Sequence, residues 1–221
     1  MHAFQPFTVK SQALFLSADR SIFWEQENAL IVSDLHFGKT GHFRKAGIAI
    51  PQSVFKEDLQ RLVALFQYFR PSTLIVVGDM FHSQANKELD LFAKWRDDFP
   101  ALKIQLIRGN HDILQRRWYA NTGIEIFDRT FKVKDFCFQH DAGDCDAELS
   151  NKQHYIFSGH VHPGVTINGI GRQSLKFPCF YFTDTHCILP AFSRFTGTVS
   201  VRPGEDDVIF AIVNNTILQV S

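Results

Sequence analysis

Residues 104 to 112 read Ile-Gln-Leu-Ile-Arg-Gly-Asn-His-Asp, a short apolar run that ends in a polar turn. The Gly109-Asn110 pair alone is ordinary turn chemistry, because glycine tolerates positive φ and asparagine bonds its own backbone. Four other strand-like runs also end in residues that can bind metal, and those residues are Asp34 and His36, Asp79, His140, and His160 and His162. The repetition indicates that the five turns serve one purpose.

Residues just past the carboxyl ends of parallel strands cluster at one edge of an α/β sheet, where such folds usually bind ligands. The candidate metal ligands at that edge are Asp34, His36, Asp79, Asn110, His140, His160 and His162. Oxygen and nitrogen donors without thiolate favour manganese, iron or zinc over a soft-metal site or an all-oxygen calcium site. These ligands exceed what one catalytic zinc needs, but they suffice for two ions if one carboxylate, most economically Asp79, bridges them.

Two divalent ions at that edge predict phosphoester hydrolysis. Ions roughly 3.5 to 4 Å apart activate a water and stabilise the charge that develops on the phosphoryl oxygens during in-line displacement. His111 lies in the same turn as Asn110 and is the candidate for the acid that protonates the departing alkoxide. Asp112 is the candidate that orients His111 by accepting its other ring N–H.

The first half of the chain alternates strands and helices. Loosely alternating runs at Gln12–Phe15 and Arg20–Glu25 predict an antiparallel opening, and the apolar run Ala29–Ser33 predicts a strand covered on both faces. The elements expected next are a long loop at 34–50, a helix from Pro51 that ends before Pro71, a strand at 74–77, a helix at 86–98, a strand at 104–107 and a short helix up to residue 119. This alternation is typical of β-α-β crossovers.

The second half changes character and is predicted to be mainly β. Short strands are expected at 124–133, 135–139, 154–158, 164–168, 177–183, 186–189 and 207–220. No linker separates the two halves. We therefore predict an α/β fold in which residues 1–221 form a single domain, a two-sheet sandwich with helices outside.

The amino-acid composition does not indicate a particular class of binding partner. Lysine and arginine number 23, as do aspartate and glutamate, so the formal net charge is zero. A protein that mainly wraps nucleic acid is usually basic throughout, so any nucleic-acid contact here must depend on a local patch. The four cysteines form no C-x-x-C pair, residues 1–10 lack a long apolar segment, and no run approaches the roughly 20 apolar residues of a membrane span. These features predict a cytoplasmic protein with reduced cysteines and no membrane partner.

Several residues near the predicted cluster are candidates for substrate binding, namely Lys39, His42, Arg44, His82 and Arg108. Long basic side chains beside a metal cluster raise the local concentration of anions and can guide a phosphate backbone. The alternative for the basic loop at 39–45 is a solvated surface loop. His82 has the same alternative, as an ordinary loop histidine.

Taken in order, the five turns resemble the signature of the calcineurin-like metallophosphoesterases. The matching residues are Asp34-Leu-His36, Gly78-Asp79, Gly109-Asn110-His111-Asp112, His140 and Gly159-His160-Val-His162. The resemblance implies a four-layer α/β sandwich of two mixed β-sheets flanked by helices, with His111 as proton donor. The ligand sets that it implies are Asp34, His36, Asp79 and His162 for one metal, and Asp79, Asn110, His140 and His160 for the other.

A narrower resemblance covers four segments spread over most of the chain. Ser33–Lys39, Phe43–Gly47, Gly78–Ser83 and Leu189–Phe192 are similar to the bacterial DNA-ligase-associated metallophosphoesterases. That resemblance implies a DNA endonuclease or phosphodiesterase tied to DNA repair, with DNA ligase or helicase partners. Residues 193–197, Ser-Arg-Phe-Thr-Gly, replace a more glycine-rich turn of that family, which leaves substrate contacts there open.

Three functions are open at this point. The first is a manganese-dependent phosphodiesterase that acts on DNA or another nucleic acid. The second is a hydrolase of nucleotides or of another small phosphoester, which a net charge of zero does not exclude. The third is a non-catalytic scaffold that binds a repair partner. Loss of a ligand or of the proton donor would mark the scaffold, and this sequence has lost neither.

Overall fold

The computed structural model describes residues 4–39, 53–82, 87–144, 154–169 and 173–220. Its first sheet has seven strands that neighbour one another in chain order. They are β1 (Phe4–Val9), β2 (Gln12–Ser17), β3 (Ser21–Trp24), β4 (Ala29–Val32), β5 (Thr73–Val77), β6 (Lys103–Ile107) and β7 (Ile124–Phe127). Strands β1 to β4 are antiparallel, whereas β4 to β7 are parallel. The parallel half therefore places the carboxyl ends of β4, β5 and β6 at one edge.

Three helices pack on one face of this sheet, α1 (Ser53–Phe69), α2 (Lys87–Asp97) and α3 (Arg116–Asn121). Helix α1 buries Leu62, Leu65 and Phe66, whose spacing puts them on one helical stripe. Together with apolar residues of the parallel strands they form one buried cluster. None of the helices in the described ranges is long and apolar enough to cross a membrane.

The second sheet is mixed and has nine strands. They are β8 (Thr130–Val133), β9 (Phe136–Gln139), β10 (Tyr155–Ser158), β11 (Pro163–Asn168), β12 (Ser174–Phe182), β13 (His186–Ile188), β14 (Val199–Ser200), β15 (Val208–Val213) and β16 (Thr216–Gln219). The order is β14-β11-β12-β13-β10-β9-β8, with β15 also paired to β12 and β16 paired to β15. Strands β9, β10 and β13 are parallel neighbours, so β9 and β10 also end at a common edge.

The two sheets face each other across a core that is rich in aromatic side chains. Trp24 of the first sheet lies 4.6 Å from Phe136 of the second, measured between ring centroids. Phe138, Phe157 and Phe182 are buried in the same cluster. Such tilted aromatic pairs add to the stability that buried apolar area already provides. The prediction of two mixed β-sheets flanked by helices is confirmed.

The structure corrects two strand predictions. The run 124–133 is two strands in different sheets, because the chain leaves β7 at Phe127 and enters β8 at Thr130. The run 207–220 is a hairpin, in which Asn214 and Asn215 turn with φ of 46° and 62°. Tight two-residue hairpin turns need two positive φ values, which asparagine tolerates.

The sequence pattern does not predict strands β1 and β14. Strand β1 carries Pro6, which cannot donate to a ladder, and it lies at the sheet edge where that loss is tolerated. Strand β14 has 2 residues, too few to show a periodicity. Both strands are recognised by their pairing with an adjacent strand, β1 with β2 and β14 with β11, and not by a pattern in their own sequence.

Candidate metal centre

The carboxyl ends of strands from both sheets meet at one edge of the sandwich. Asp34 and Asp79 follow β4 and β5 of the first sheet, whereas His140 and His160 follow β9 and β10 of the second. The backbone N–H of His160 donates to Asp34 Oδ2 at 3.1 Å and so joins the two sheets at this edge. Residues that are far apart in sequence are thereby brought together, as the positions of the turns predict.

One group of potential metal ligands consists of Asp34, His36 and His162. Their ligand atoms lie within 4.8 Å of one another. His162 Nε2 is 3.2 Å from Asp34 Oδ1, and both Asp34 and His36 are buried. This geometry allows the three side chains to coordinate one ion.

A second group consists of Asp79, His140 and His160, whose ligand atoms also lie within 4.8 Å of one another. His140 Nε2 is the centre of this group, because it lies 3.5 Å from Asp79 Oδ2 and 3.2 Å from His160 Nδ1. It also lies 3.1 Å from Asn110 Oδ1, so the carboxamide joins the group. All four of these side chains present a donor atom to the same small volume.

The donor chemistry of both groups fits divalent metal ions. Both ring nitrogens of His36 are buried, and neither has a hydrogen-bond partner in the described part of the chain. Burial lowers the pKa of His36 to about 3, so the imidazole is neutral and available as a ligand. Burial alone would raise the pKa of Asp79, but its hydrogen bond to His140 and the charge of that ring lower it to about 2. Neutral imidazole and ionised carboxylate are the forms that bind metal. Burial alone would lower the pKa of His140, but Asp79 raises it to about 9, so His140 must release a proton when a metal binds.

The backbone of the ligand turns is in an uncommon conformation. Asp34, His36 and Asp79 have φ of 52°, 51° and 49°, and His160 and His162 have φ of 66° and 52°. Residues other than glycine rarely adopt positive φ, and such strain of about 1 to 3 kcal/mol each concentrates at functional sites. Because the described chain also has positive φ in ordinary turns, such as Asn214 and Asn215, these values do not mark the site by themselves, but they require the surrounding fold to hold the ligand turns in place.

Two glycines let the backbone approach the ligand side chains closely. A Cβ atom at Gly78, whose φ is 79°, would lie 1.9 Å from His140 Nδ1. A Cβ atom at Gly159 would lie 1.9 Å from Ser33 Oγ and 2.6 Å from Asp34 Oδ2. Only glycine fits at these two positions without displacing a ligand.

His111 lies on the open side of the cluster. Its backbone N–H donates to Asp79 Oδ1 at 2.9 Å, and its Nε2 is 3.9 Å from Asp79 Oδ2. The His111 side chain is 41% exposed, whereas that of Asp79 is 3% exposed. The ring can therefore reach both a substrate and the edge of the ligand cluster, which is the position that the predicted proton donor requires.

The sequence model of the calcineurin-like phosphoesterases matches residues 28–144, more than half of the chain. The chain belongs to this family. The matched range ends before His160 and His162, and the structure brings these two residues to the turns within that range.

Among solved structures, this phosphoesterase is similar to the crystal structure of Pseudomonas putida nuclease MPE. The two share 31% sequence identity and superpose with a TM-score of 0.79, over 95% of this chain and 96% of that one. A protein of unknown function from Aquifex aeolicus, AQ665, has 17% sequence identity and a TM-score of 0.46, over 65% of this chain and 82% of that one. This similarity is too low to support a conclusion. No curated protein sequence matches significantly. Family membership and the similarity to a nuclease establish a metal-dependent phosphoesterase.

Asp112 of the phosphoesterase has a role that differs from the predicted one. Its carboxylate is fully buried and accepts the backbone N–H groups of Phe81 and Gly109, each at 2.9 Å. The expected contact to the His111 ring is replaced by these two backbone contacts, because the side chain points back between the turns after β5 and β6. Asp112 therefore fixes the two turns that carry Asp79 and Asn110. Burial raises the pKa of the carboxyl to about 7.

Replacing Asp112 with asparagine is expected to destabilise the protein by about 1 to 3 kcal/mol, because one backbone N–H then faces an amide N–H₂ and stays unpaired in a buried site. Urea unfolding at pH 8, above the pKa of the carboxyl, measures the effect. Asp128→Asn is the control, since its surface ion pair with Arg116 contributes no more than about 1 kcal/mol. Equal stability of Asp112→Asn and the wild type would contradict the structural role.

Lys39 lies beside the first group of ligands. Its backbone N–H donates to the His36 carbonyl at 3.1 Å. Burial lowers the pKa of its ammonium group, and the nearby Asp79 and Asp34 carboxylates oppose that shift. The lysine is thus close enough to the cluster to meet an anionic substrate.

His82 and Arg108 lie on different sides of the cluster. The His82 ring is 4.2 Å from the His111 ring, measured between centroids. Arg108 donates from Nε to the Asp112 carbonyl at 3.0 Å, and its Nη1 is 3.7 Å from Asp128 Oδ1. The remaining two candidates for substrate binding, His42 and Arg44, fall outside the described residues, so their role stays a prediction.

A cleft of about 320 Å³ opens beside the second group of ligands. Its walls are formed by Arg108, Gly109, Asn110, Asp128, His140, Asp141 and His160. A larger cavity of about 700 Å³ lies between α2 and the turn after α3. None of the predicted site residues lines the larger cavity, and its Arg96 is engaged with backbone carbonyls. The smaller cleft is therefore the one that adjoins the candidate metal ligands.

Sequence reasoning missed the support of Asp34. The Ser33 hydroxyl contacts Asp34 Oδ2 and also the Val77 carbonyl, the latter at 2.9 Å. The backbone N–H groups of Phe192 and Ser193 donate to the carbonyls of Ser33 and Asp34 at 2.7 and 3.2 Å. No local sequence pattern predicts the contacts of this segment with Val77, Phe192 and Ser193, because those residues lie far from Ser33 and Asp34 in the sequence.

Proposed function

We propose that this phosphoesterase is a binuclear-metal phosphodiesterase that acts on DNA. The observation that carries the proposal is the pair of ligand groups at one sheet edge, with His111 on their open side. The ligand sets are Asp34, His36, Asp79 and His162 for one ion, and Asp79, Asn110, His140 and His160 for the other. The two sheets bury one shared core, which supports residues 1–221 as a single catalytic domain.

Manganese is the proposed metal, with iron and zinc as the other candidates. Imidazole, carboxylate and carboxamide donors without thiolate suit ions of this class. Two such ions supply Lewis acidity to the phosphoryl oxygens and an activated water. Asp79 would lie between the two ions, since its Oδ2 is 3.5 Å from His140 Nε2 and its backbone carbonyl accepts the N–H of His36 at 2.9 Å.

DNA is the proposed substrate because of two independent similarities. The neighbour with 31% identity is a nuclease, and the likeness extends over 95% of this chain. The narrower resemblance to the DNA-ligase-associated metallophosphoesterases supports a cytoplasmic role in DNA repair with ligase or helicase partners. Lys39 supports an anionic substrate, because its ammonium group lies near both Asp34 and Asp79 at the edge of the cluster.

The test is a substrate panel with manganese-loaded protein. It comprises bis-p-nitrophenyl phosphate, p-nitrophenyl phosphate, and labelled single-stranded and duplex DNA. Cleavage of the diester and of DNA is the expected result. Turnover confined to p-nitrophenyl phosphate would contradict the proposal and would point to a small-molecule phosphoesterase.

His111→Ala is expected to keep both metals but to slow the reaction by about 10² to 10⁴, the usual contribution of a positioned acid. The loss should be largest for alkyl diesters, whose leaving groups most need a proton. Rates for alkyl and nitrophenyl diesters, measured with metal content, test this expectation. His154→Ala is the control, because this histidine precedes β10 and so lies at its amino end, opposite the metal edge. Normal turnover of an alkyl diester by His111→Ala would refute the acid role.

A further inference from the structure

The main chain that carries Asp34 is held between two other segments. On one side, the N–H groups of Asp34 and His36 donate to the carbonyls of Gly78 and Asp79 at 3.1 and 2.9 Å. On the other side, the carbonyl of Asp34 accepts the N–H of Ser193 at 3.2 Å. The first of these segments follows strand β5. The second belongs to no helix or strand, so something else must fix it.

Two arginines bind the carbonyl groups of this second segment, residues 191–193. Arg20 Nη1 donates to the carbonyls of Ala191 and Ser193 at 3.1 and 2.8 Å. Arg61 of α1 donates from Nη2 to the Phe192 carbonyl. Its guanidinium carbon also lies 4.2 Å from the centroid of the fully buried Phe192 ring. Every carbonyl from residue 191 to residue 193 thus accepts a hydrogen bond from an arginine.

Asp58 of α1 completes the arrangement. Its buried carboxylate accepts Arg61 Nη2 at 2.8 Å. The side chain of Ser193 and the backbone of Arg194 also lie near this carboxylate. We use the name arginine clamp for Arg20, Asp58 and Arg61. The arginine clamp binds all three carbonyl groups of the segment, so the segment has little freedom to move relative to α1.

We propose that Arg61 and Arg20 are positioning residues of the metal centre, which hold residues 191–193 against Asp34 so that this carboxylate keeps its metal-binding conformation. The inference rests on the proposed function, in which Asp34 is a ligand. Asp34 has φ of 52° and needs support from its surroundings to stay there. Guanidinium groups suit this task, because one of their nitrogens can bind two acceptors at once, as Arg20 Nη1 binds two carbonyls and Arg61 Nη2 binds Asp58 and the Phe192 carbonyl.

The test compares Mn²⁺ binding to the full-length wild type and to Arg61→Met by calorimetric titration. We expect two Mn²⁺ ions per wild-type chain, and a roughly 10-fold to 100-fold loss of affinity at one of the two sites in Arg61→Met, the range seen when partners that orient a metal ligand are removed. Electron paramagnetic resonance gives a second readout. The spectrum of the wild type should show a coupled ion pair, and that of Arg61→Met a larger share of uncoupled Mn²⁺.

Arg96→Met is the matched control. Arg96 also binds several backbone carbonyls, those of Thr122, Phe99 and Leu102, but it lies on α2 away from the metal centre. It should lose thermal stability and keep both Mn²⁺ affinities. The same Mn²⁺ titration is applied to Arg20→Met and Arg61→Lys, which disturb the core less than Arg61→Met does. The lysine should restore only part of the affinity, because it lacks the planar guanidinium that packs over the Phe192 ring.

Two results would overturn the inference, and they differ. Unchanged Mn²⁺ affinity and an unchanged coupled spectrum in both Arg61→Met and Arg20→Met would overturn the positioning role and leave the binuclear proposal intact. Fewer than two Mn²⁺ ions per wild-type chain would overturn the binuclear proposal itself, and the positioning role with it.

Discussion

Replacing Asp79 with alanine should empty or disorder both metal groups and reduce diester hydrolysis by about a thousandfold, which corresponds to roughly 4 kcal/mol of lost transition-state stabilisation. The physical reason is the central position of this carboxylate. Its Oδ2 lies 3.5 Å from His140 Nε2, and its Oδ1 accepts the backbone N–H of His111. One substitution therefore removes a ligand of one ion, the proposed bridge to the other, and an anchor of the proton donor.

Metal content by mass spectrometry and turnover of bis-p-nitrophenyl phosphate together measure this effect. Asp135→Ala is the matched control, since Asp135 is an exposed aspartate that precedes β9 and lies at its amino end. The control should retain wild-type metal content and rate. Full occupancy of two ions in Asp79→Ala would refute the bridge, even if activity were lost.

Gly159→Ala should destabilise the protein by about 3 kcal/mol or more and reduce hydrolysis at least about 100-fold, because overpacking forces groups apart and a shift of about 1 Å at a catalytic site is that costly. The added Cβ would lie 1.9 Å from Ser33 Oγ, 2.6 Å from Asp34 Oδ2 and 2.8 Å from the Val77 carbonyl. The Val77 carbonyl is backbone within β5 and cannot swing away. The collision therefore displaces Asp34 or the turn that carries His160.

Thermal unfolding with and without Mn²⁺, followed by kinetics, measures the effect of Gly159→Ala. Gly197→Ala is the control, because in the described part of the chain no atom beyond the two adjacent residues lies within 4 Å of a Cβ placed at that position. It should behave as the wild type does. A Gly159→Ala protein with normal stability and normal rate would mean that the turn relaxes freely, which contradicts a rigid site.

The sequence alone predicts the ligands because their positions follow from strand ends. Each of Asp34, Asp79 and His140 comes directly after, or one turn beyond, a run of buried residues that can only be a strand. Parallel strands with a common direction bring such residues to one edge by geometry. The close approach of the two sheets is seen only in the structure, because no local sequence pattern predicts it.

The sequence could not predict contacts that depend on the packing of distant segments. Asp112 reads as a partner of the neighbouring His111, but its carboxylate binds the backbone of Phe81, which lies 31 residues away. The arginine clamp joins positions 20, 58 and 61 to residues 191–193, and each of these residues alone reads as an ordinary polar surface group. The split of 124–133 between two sheets is equally invisible, since both halves are short apolar runs.

The most direct test of the account is anomalous diffraction at the manganese edge from crystals grown with Mn²⁺. The account predicts two peaks per chain, roughly 3.5 to 4 Å apart, which is the spacing of two-metal phosphoesterase chemistry. One peak should lie among Asp34, His36 and His162, and the other among Asn110, His140 and His160, with Asp79 between them. A single peak, or two peaks that do not share Asp79, would contradict the binuclear centre.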